Sequence, residues 1–136
     1  MVQEVKLTCA VIVTTPQQVA TDDVQRAMRM LQDVRAPIAG VVENMSYLDV
    51  PGGARLFPFG RGGGQALADR YGVPLLAELP LLEALRISSD EGTPLVASGS
   101  DAERALFGAL ADRVLATPEV AARLAAENGA VEGAPR

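Results

Sequence analysis

The sequence predicts an α/β fold: part of a doubly wound parallel sheet, about three strands with flanking helices. Three observations predict it. Ala10-Val11-Ile12-Val13-Thr14 and Ile38-Ala39-Gly40-Val41-Val42 are continuous apolar runs, the pattern of strands buried on both faces. An amphipathic helical stretch lies between them, giving a βαβ unit of roughly thirty residues whose crossover should be right-handed. Leu75-Leu76-Ala77-Glu78-Leu79 then repeats the strand pattern and ends at Pro80.

The elements follow in order. Thr15-Pro16-Gln17-Gln18 reads as a helix start, with Thr15 as cap, Pro16 at the first helical position and Gln18 three residues after the cap; Thr21 is an alternative cap. Ala20, Val24, Ala27, Met28 and Leu31 form the apolar stripe of that helix, with Met28 and Met30 as packing residues. Arg35-Ala36-Pro37 breaks it. The second strand runs from Ile38 to Glu43 and delivers Asn44-Met45-Ser46 at its tip, followed by a Gly- and Pro-rich loop, Tyr47 to Phe59. Gly60-x-Gly62-Gly63-Gly64 opens a short helix to Tyr71, and Gly72 suits a left-handed C-cap. After the third strand, Leu81 to Ser88 reads as helix and Asp90 to Pro94 as a turn-rich link; Arg86 and Asp90 either pair or hold the following turn, and neither reads as catalytic. Ser100 or Asp101 caps a helix to about Leu115, with Ala105, Leu106, Ala109, Leu110 and Val114 on its core face. Thr117-Pro118-Glu119 begins a short Ala-rich helix, and Asn128 to Arg136 reads as a frayed tail.

Composition narrows the chemistry. The chain has 136 residues, 49% hydrophobic and 4% aromatic, with a net charge of −5, so aliphatic side chains supply the core. No basic stripe interleaved with aromatics is present, which argues against nucleic acid as a partner. No apolar run approaches the roughly 20 residues that span a bilayer, and no basic-apolar leader opens the chain, so a cytoplasmic protein is expected. There is no histidine, which removes histidine-based triads and most zinc sites. Cys9 is the single cysteine and reads as a small buried apolar residue, so no metal site is expected. Lys6 is the only lysine and no glycine run precedes it, so these residues contain no G-x-x-x-x-G-K-[ST] phosphate loop.

The stretch 38–64 has the form of a ligand site, because open α/β sheets bind ligands beyond the carboxyl ends of their strands. Taken alone, Asn44 is an amide closing a local turn and Pro80 a strand terminator. The glycines from Gly60 to Gly64 could offer amides to a phosphate, but a tight turn that lets a helix approach closely is the better reading.

Four linked motifs carry a resemblance: Val11-Ile-Val-Thr-Thr-Pro-Gln17, Gly40-Val-Val-Glu-Asn-Met-Ser46, Phe59-Gly-Arg-Gly-Gly-Gly64, and Leu79-Pro-Leu81 followed by Arg86, Asp90, Gly92 and Pro94. Over roughly residues 8–115 the chain resembles the C-terminal half of the Mrp-type ATPases, iron–sulfur cluster carrier and assembly proteins of the deviant P-loop class related to MinD and ParA. The resemblance implies that Asn44 reads the adenine of ATP, since one amide offers both a donor and an acceptor, and that Pro80 and Leu81 pack beside the base. It implies a P-loop NTPase sheet whose phosphate loop and magnesium-supporting Asp would lie upstream of Met1. Residues 1–116 would then be the C-terminal portion of that domain, and 117–136 a short helix and flexible tail. The family's Cys-x-x-Cys, which bridges an iron–sulfur cluster between two subunits, falls on Val50 and Gly53, and neither ligates iron. Implied partners are a second copy, a complementary N-terminal half and iron–sulfur client proteins. The expected function is a truncated ATP-binding half that does not hydrolyse ATP alone. Two alternatives stand beside it: a non-catalytic scaffold pairing with another ATPase half, and a MinD- or ParA-like positioning fragment.

Overall fold

The computed structural model describes residues 7–132, with side chains up to residue 126. The elements run β1 (Ala10–Thr14), α1 (Gln18–Asp33), β2 (Ile38–Asp49), β3 (Arg55–Leu56), α2 (Gly63–Tyr71), β4 (Leu75–Pro80), α3 (Glu83–Asp90), α4 (Leu95–Ser98), α5 (Asp101–Leu115) and α6 (Pro118–Glu132). β2 is the central strand, parallel to β1 on one side and to β4 on the other. The predicted three-stranded parallel sheet is therefore present. A fourth strand, β3, goes beyond that expectation: it pairs antiparallel with the far end of β2, Leu48 opposite Leu56 and Asp49 opposite Arg55.

Two apolar layers sandwich the sheet. On one face Ile12, Met28, Val41, Leu67 and Ala68 form a core beneath α1 and α2, with Val24 and Leu31 packed against it. On the other, Val42, Leu76 and Leu79 meet Leu106, Phe107, Leu110 and Val114 of α5. Alternation along β1 explains where coverage stops. Ile12 points into the first core, whereas Val11 and Val13 point to the opposite face and are 37% and 55% exposed. The continuous β1 run thus does not mean burial on both faces, because α5 lies over β4 and not over β1.

Several boundaries differ from the sequence reading. α1 starts at Gln18 behind Gln17, with no side-chain cap, so neither the Thr15 cap nor Thr21 is used; the Thr15 hydroxyl instead donates to Gln17 Oε1. Met28 is fully buried, but Met30 is 55% exposed, since two residues along a helix turn a side chain about 200° away. Ala27, Ala105 and Ala109 are exposed, and Phe107 takes a place on the α5 core face. α3 begins two residues later than expected because the Leu81 N–H bonds to the Tyr47 carbonyl at 2.7 Å and keeps the chain extended. α6 continues through residues 128–132, where a tail is expected, and 133–136 lie outside the described residues. Two caps form as expected. Gly72 ends α2 at φ 65°, a left-handed value that favours glycine. Ser100 opens α5 with a reciprocal capping box to Glu103, whose carboxyl the Ser100 backbone and side-chain donors hold below its ordinary value.

Candidate functional site

The carboxyl ends of β2 and β4 meet at an irregularity. From Glu43 to Tyr47, β2 advances four residues while β4 advances only from Glu78 to Pro80. The excess is a bulge at Asn44-Met45-Ser46, a device that re-aims side chains at strand ends. Met45 sits at φ 55°, in the left-handed region that residues with a Cβ seldom enter. The Met45 N–H donates to Asn44 Oδ1 at 3.0 Å, so the turn-closing role of Asn44 is real. That bond fixes the plane of the carboxamide and leaves its two N–H donors and one oxygen lone pair uncommitted within the side chain.

Glu43 holds the bulge from below. Its side chain is fully buried. Oε1 accepts from the Ser46 hydroxyl at 2.6 Å, and Oε2 accepts from the backbone N–H of Gly64 at 2.5 Å. The second contact supplies what α2 lacks locally, since its N-cap Gly62 has no side chain and sits at φ 74°. A carboxylate on a first-turn amide also faces the positive end of the helix dipole. The glycines allow this approach. A Cβ on Gly64 would stand 2.8 Å from the Glu43 Cβ, and one on Gly63 would stand 2.4 Å from the Pro16 carbonyl oxygen.

Above the bulge lies a cleft of about 330 Å³, lined by Asn44, Met45, Pro80, Leu81, Leu82, Leu85, Arg86 and Ser89. Asn44, Pro80 and Leu81 are therefore brought together, one amide against a largely apolar wall. That combination suits a flat heteroaromatic ring, which needs packing on its faces and few polar contacts at its edge. Arg86 stands at the rim, its guanidinium 2.9 Å from Asp90 and 3.9 Å from Glu83; the expected Arg86–Asp90 pair forms, and as an exposed pair it contributes little stability. A larger depression of about 710 Å³ runs beside Gln18, Val19 and Asp22 of α1, and no buried polar group converges on it.

Sequence reasoning missed Met45, Leu82, Leu85, Ser89 and the role of Glu43. The signal for Glu43 was present: a carboxylate directly after Gly40-Val41-Val42, at a position the strand pattern buries, with no lysine or arginine adjacent.

The same strand carries the hairpin to β3. The Val50 N–H bonds to the Ala54 carbonyl at 3.0 Å, and the Gly53 N–H to the Val50 carbonyl at 3.2 Å, so positions 50 and 53 face each other across one tight turn. The Arg55 guanidinium lies 4.0 Å from the Tyr47 ring and 2.9 Å from Asp49, closing the hairpin base. The side chains at these positions, an isopropyl group and a hydrogen, offer no ligating atom. Among the described residues, no group of three or more His, Cys, Asp or Glu side chains could hold a metal ion, and no helix is long and apolar enough to cross a membrane.

Cys9 is half-buried; burial pushes its thiol above the ordinary value, and the nearby Glu119 adds to the rise. A raised pKa leaves less thiolate at a given pH. Alkylation of Cys9 by iodoacetamide at pH 8 should therefore run more slowly in the folded chain than in the same chain in urea, as followed by mass spectrometry; equal rates would contradict this.

Residues 1–115 match the profile of the ParA family described as NUBPL iron-transfer P-loop NTPase. The chain is 45% identical over 96 residues to the chloroplastic Fe-S cluster assembly factor HCF101 of Arabidopsis thaliana, covering 71% of this chain and 18% of that protein. It is 40% identical over 116 residues to the iron-sulfur cluster carrier protein of Pyrococcus abyssi, covering 85% of this chain and 39% of the relative. Among solved structures it is similar to a nucleotide-binding protein of Archaeoglobus fulgidus in complex with ADP, at 36% identity and a TM-score of 0.53, over 62% of this chain and 35% of that one. The cell division ATPase MinD of Pyrococcus furiosus aligns at 28% identity and a TM-score of 0.56, over 77% and 41% of the two chains. The chain thus spans well under half the length of the relatives it matches.

Proposed function

The chain belongs to the ParA family of NUBPL-type iron-transfer P-loop NTPases, and on that premise we propose that it supplies the adenine side of a nucleotide pocket serving iron–sulfur cluster assembly. The observation that carries the reading is the cleft at the β2 bulge, where Asn44, Pro80 and Leu81 converge. Asn44, its oxygen already bonded to the Met45 N–H, presents donors to the ring-nitrogen acceptors of adenine and keeps one lone pair for the exocyclic amine. Pro80, with Leu81 and Leu82, packs against the ring face. Relatives described as iron–sulfur carriers support the biological role, and a structural relative holding ADP supports the ligand class. A cytoplasmic location goes with this reading.

Phosphoryl transfer needs preorganised positive charge and a metal around the γ-phosphate. These residues include one lysine, Lys6, outside any phosphate-loop motif. The proposal is therefore a binding half without hydrolysis of its own. Phosphate release from ATP and magnesium should stay at the level of a protein-free control, and sustained turnover by the purified chain would overturn that part.

The base site is tested by calorimetric titration with ADP. Asn44→Ala should weaken binding about 3- to 10-fold, the worth of one net hydrogen bond, and should narrow the preference for ADP over GDP. Unchanged affinity and preference would remove Asn44 from the site.

A second reading is a scaffold that pairs with a complementary N-terminal half. The exposed Val11 and Val13 favour it, because among the described residues β1 is paired on one side only. A strand added along that edge would satisfy its backbone groups and cover both valines.

A further inference from the structure

Glu43 is a buried carboxylate that the proposed base contact does not use. Its two oxygens reach in different directions, to the Ser46 hydroxyl across the bulge and to the Gly64 amide at the start of α2. Ser46 is itself 2% exposed. The pair therefore spans the two residues between them, Asn44 and Met45, and no buried side-chain polar atom among the described residues lacks a partner.

We propose that Glu43 is a positioning residue for ligand recognition: its bonds to Ser46 and Gly64 clamp the left-handed turn at Met45 and so fix the direction in which the Asn44 carboxamide faces the cleft. This rests on the reading of the cleft as a purine-base site. Met45 at φ 55° is a conformation that an L-residue leaves readily unless its surroundings hold it. The local Asn44–Met45 bond holds the amide to the turn, but nothing in it holds the turn to the fold. Glu43 does so twice, once within β2 and once to the first turn of α2, which passes too close to Pro16 for a side chain at Gly63. Base selectivity at a single amide depends on direction, since a donor aimed at the ring nitrogen of adenine meets a hydrogen in guanine if that nitrogen is N1. Loss of the clamp should then lower selectivity along with affinity, which a residue acting only on stability does not do.

Ser46→Ala removes one arm and leaves the carboxylate and its Gly64 bond. The expected result is a cooperatively folded chain whose ADP affinity falls roughly 3- to 10-fold and whose preference for ADP over GDP shrinks. In the free chain, the Asn44 side-chain amide should lose order by ¹⁵N relaxation. Glu43→Gln is the rescue control, because its oxygen still accepts from Gly64 while its amide can donate to the Ser46 hydroxyl; it should keep both the selectivity and the amide order. If Ser46→Ala does not fold, Ser46→Cys, with a weaker donor of similar size, takes its place with the same expectation. A folded Ser46→Ala or Ser46→Cys chain with unchanged selectivity and unchanged Asn44 order overturns the clamp. Absence of any ADP response at Asn44 in the unaltered chain overturns the base-site reading, and with it the clamp's role in recognition. The two failures are distinct because the order of the amide is read without ligand.

Discussion

Replacing Gly63 with alanine is expected to lower the unfolding free energy by about 2–3 kcal/mol, measured by urea denaturation. The added methyl would lie 2.4 Å from the Pro16 carbonyl oxygen and 2.9 Å from its carbonyl carbon. Both obstructing atoms are backbone, so no rotamer change clears them, and α2 must move away from the β1–α1 connection. That movement would also draw the Gly64 amide off Glu43, so the cost should include part of a buried charged hydrogen bond. Gly108 provides the contrast. It lies within α5, where an added methyl would meet nothing within 4 Å, and alanine there should stabilise by up to about 1 kcal/mol through helix propensity alone. Equal effects at the two glycines would refute the close-approach explanation of the glycine cluster.

Met28→Ala should be the most damaging single core truncation, at about 3–4 kcal/mol by the same measurement. Met28 has no exposed surface and stands among Ile12, Val41, Leu67 and Ala68, so it joins α1 to both strands of the βαβ unit and to α2. Rigid strand backbone on one side limits how far the site can collapse, which keeps the cavity term large. Met30→Ala, by contrast, should change stability by less than about 1 kcal/mol, because its side chain is largely in water. A small loss at Met28 would mean that the first core tolerates repacking and that α1 docks mainly through Val24 and Leu31.

The three parallel strands were legible to the extent that they depended on continuous apolar runs and on one amphipathic helix. Ile38 to Val42 became the central strand because Ala39, Gly40, Val41 and Val42 leave no polar side chain to solvate. β3 was not legible: two residues paired by backbone bonds have no periodicity, and their side chains are exposed. Met30 was misplaced because a methionine inside a helical stripe is apolar whichever way it faces. At the site, Asn44, Pro80 and Leu81 were named only through the family resemblance, since taken alone they read as a turn amide and a strand end; all three line one cleft. The wall formed by Leu82 and Leu85 was not, because it depended on the chain staying extended past Pro80 until Glu83.

By itself the sequence determined the element types, the absence of histidine and of a phosphate-loop lysine from these residues, and the motifs that place the chain in its family. Those are properties of residue identity and short-range pattern. Tertiary structure alone decided that Glu43 reaches Gly64, twenty-one residues away, and that Gly63 touches Pro16. It also decided that Asn44 sits on a bulge rather than at the end of a strand. Each is a contact between elements distant in sequence. Its energy comes from burying a charged or backbone group that must then find its partner across the fold.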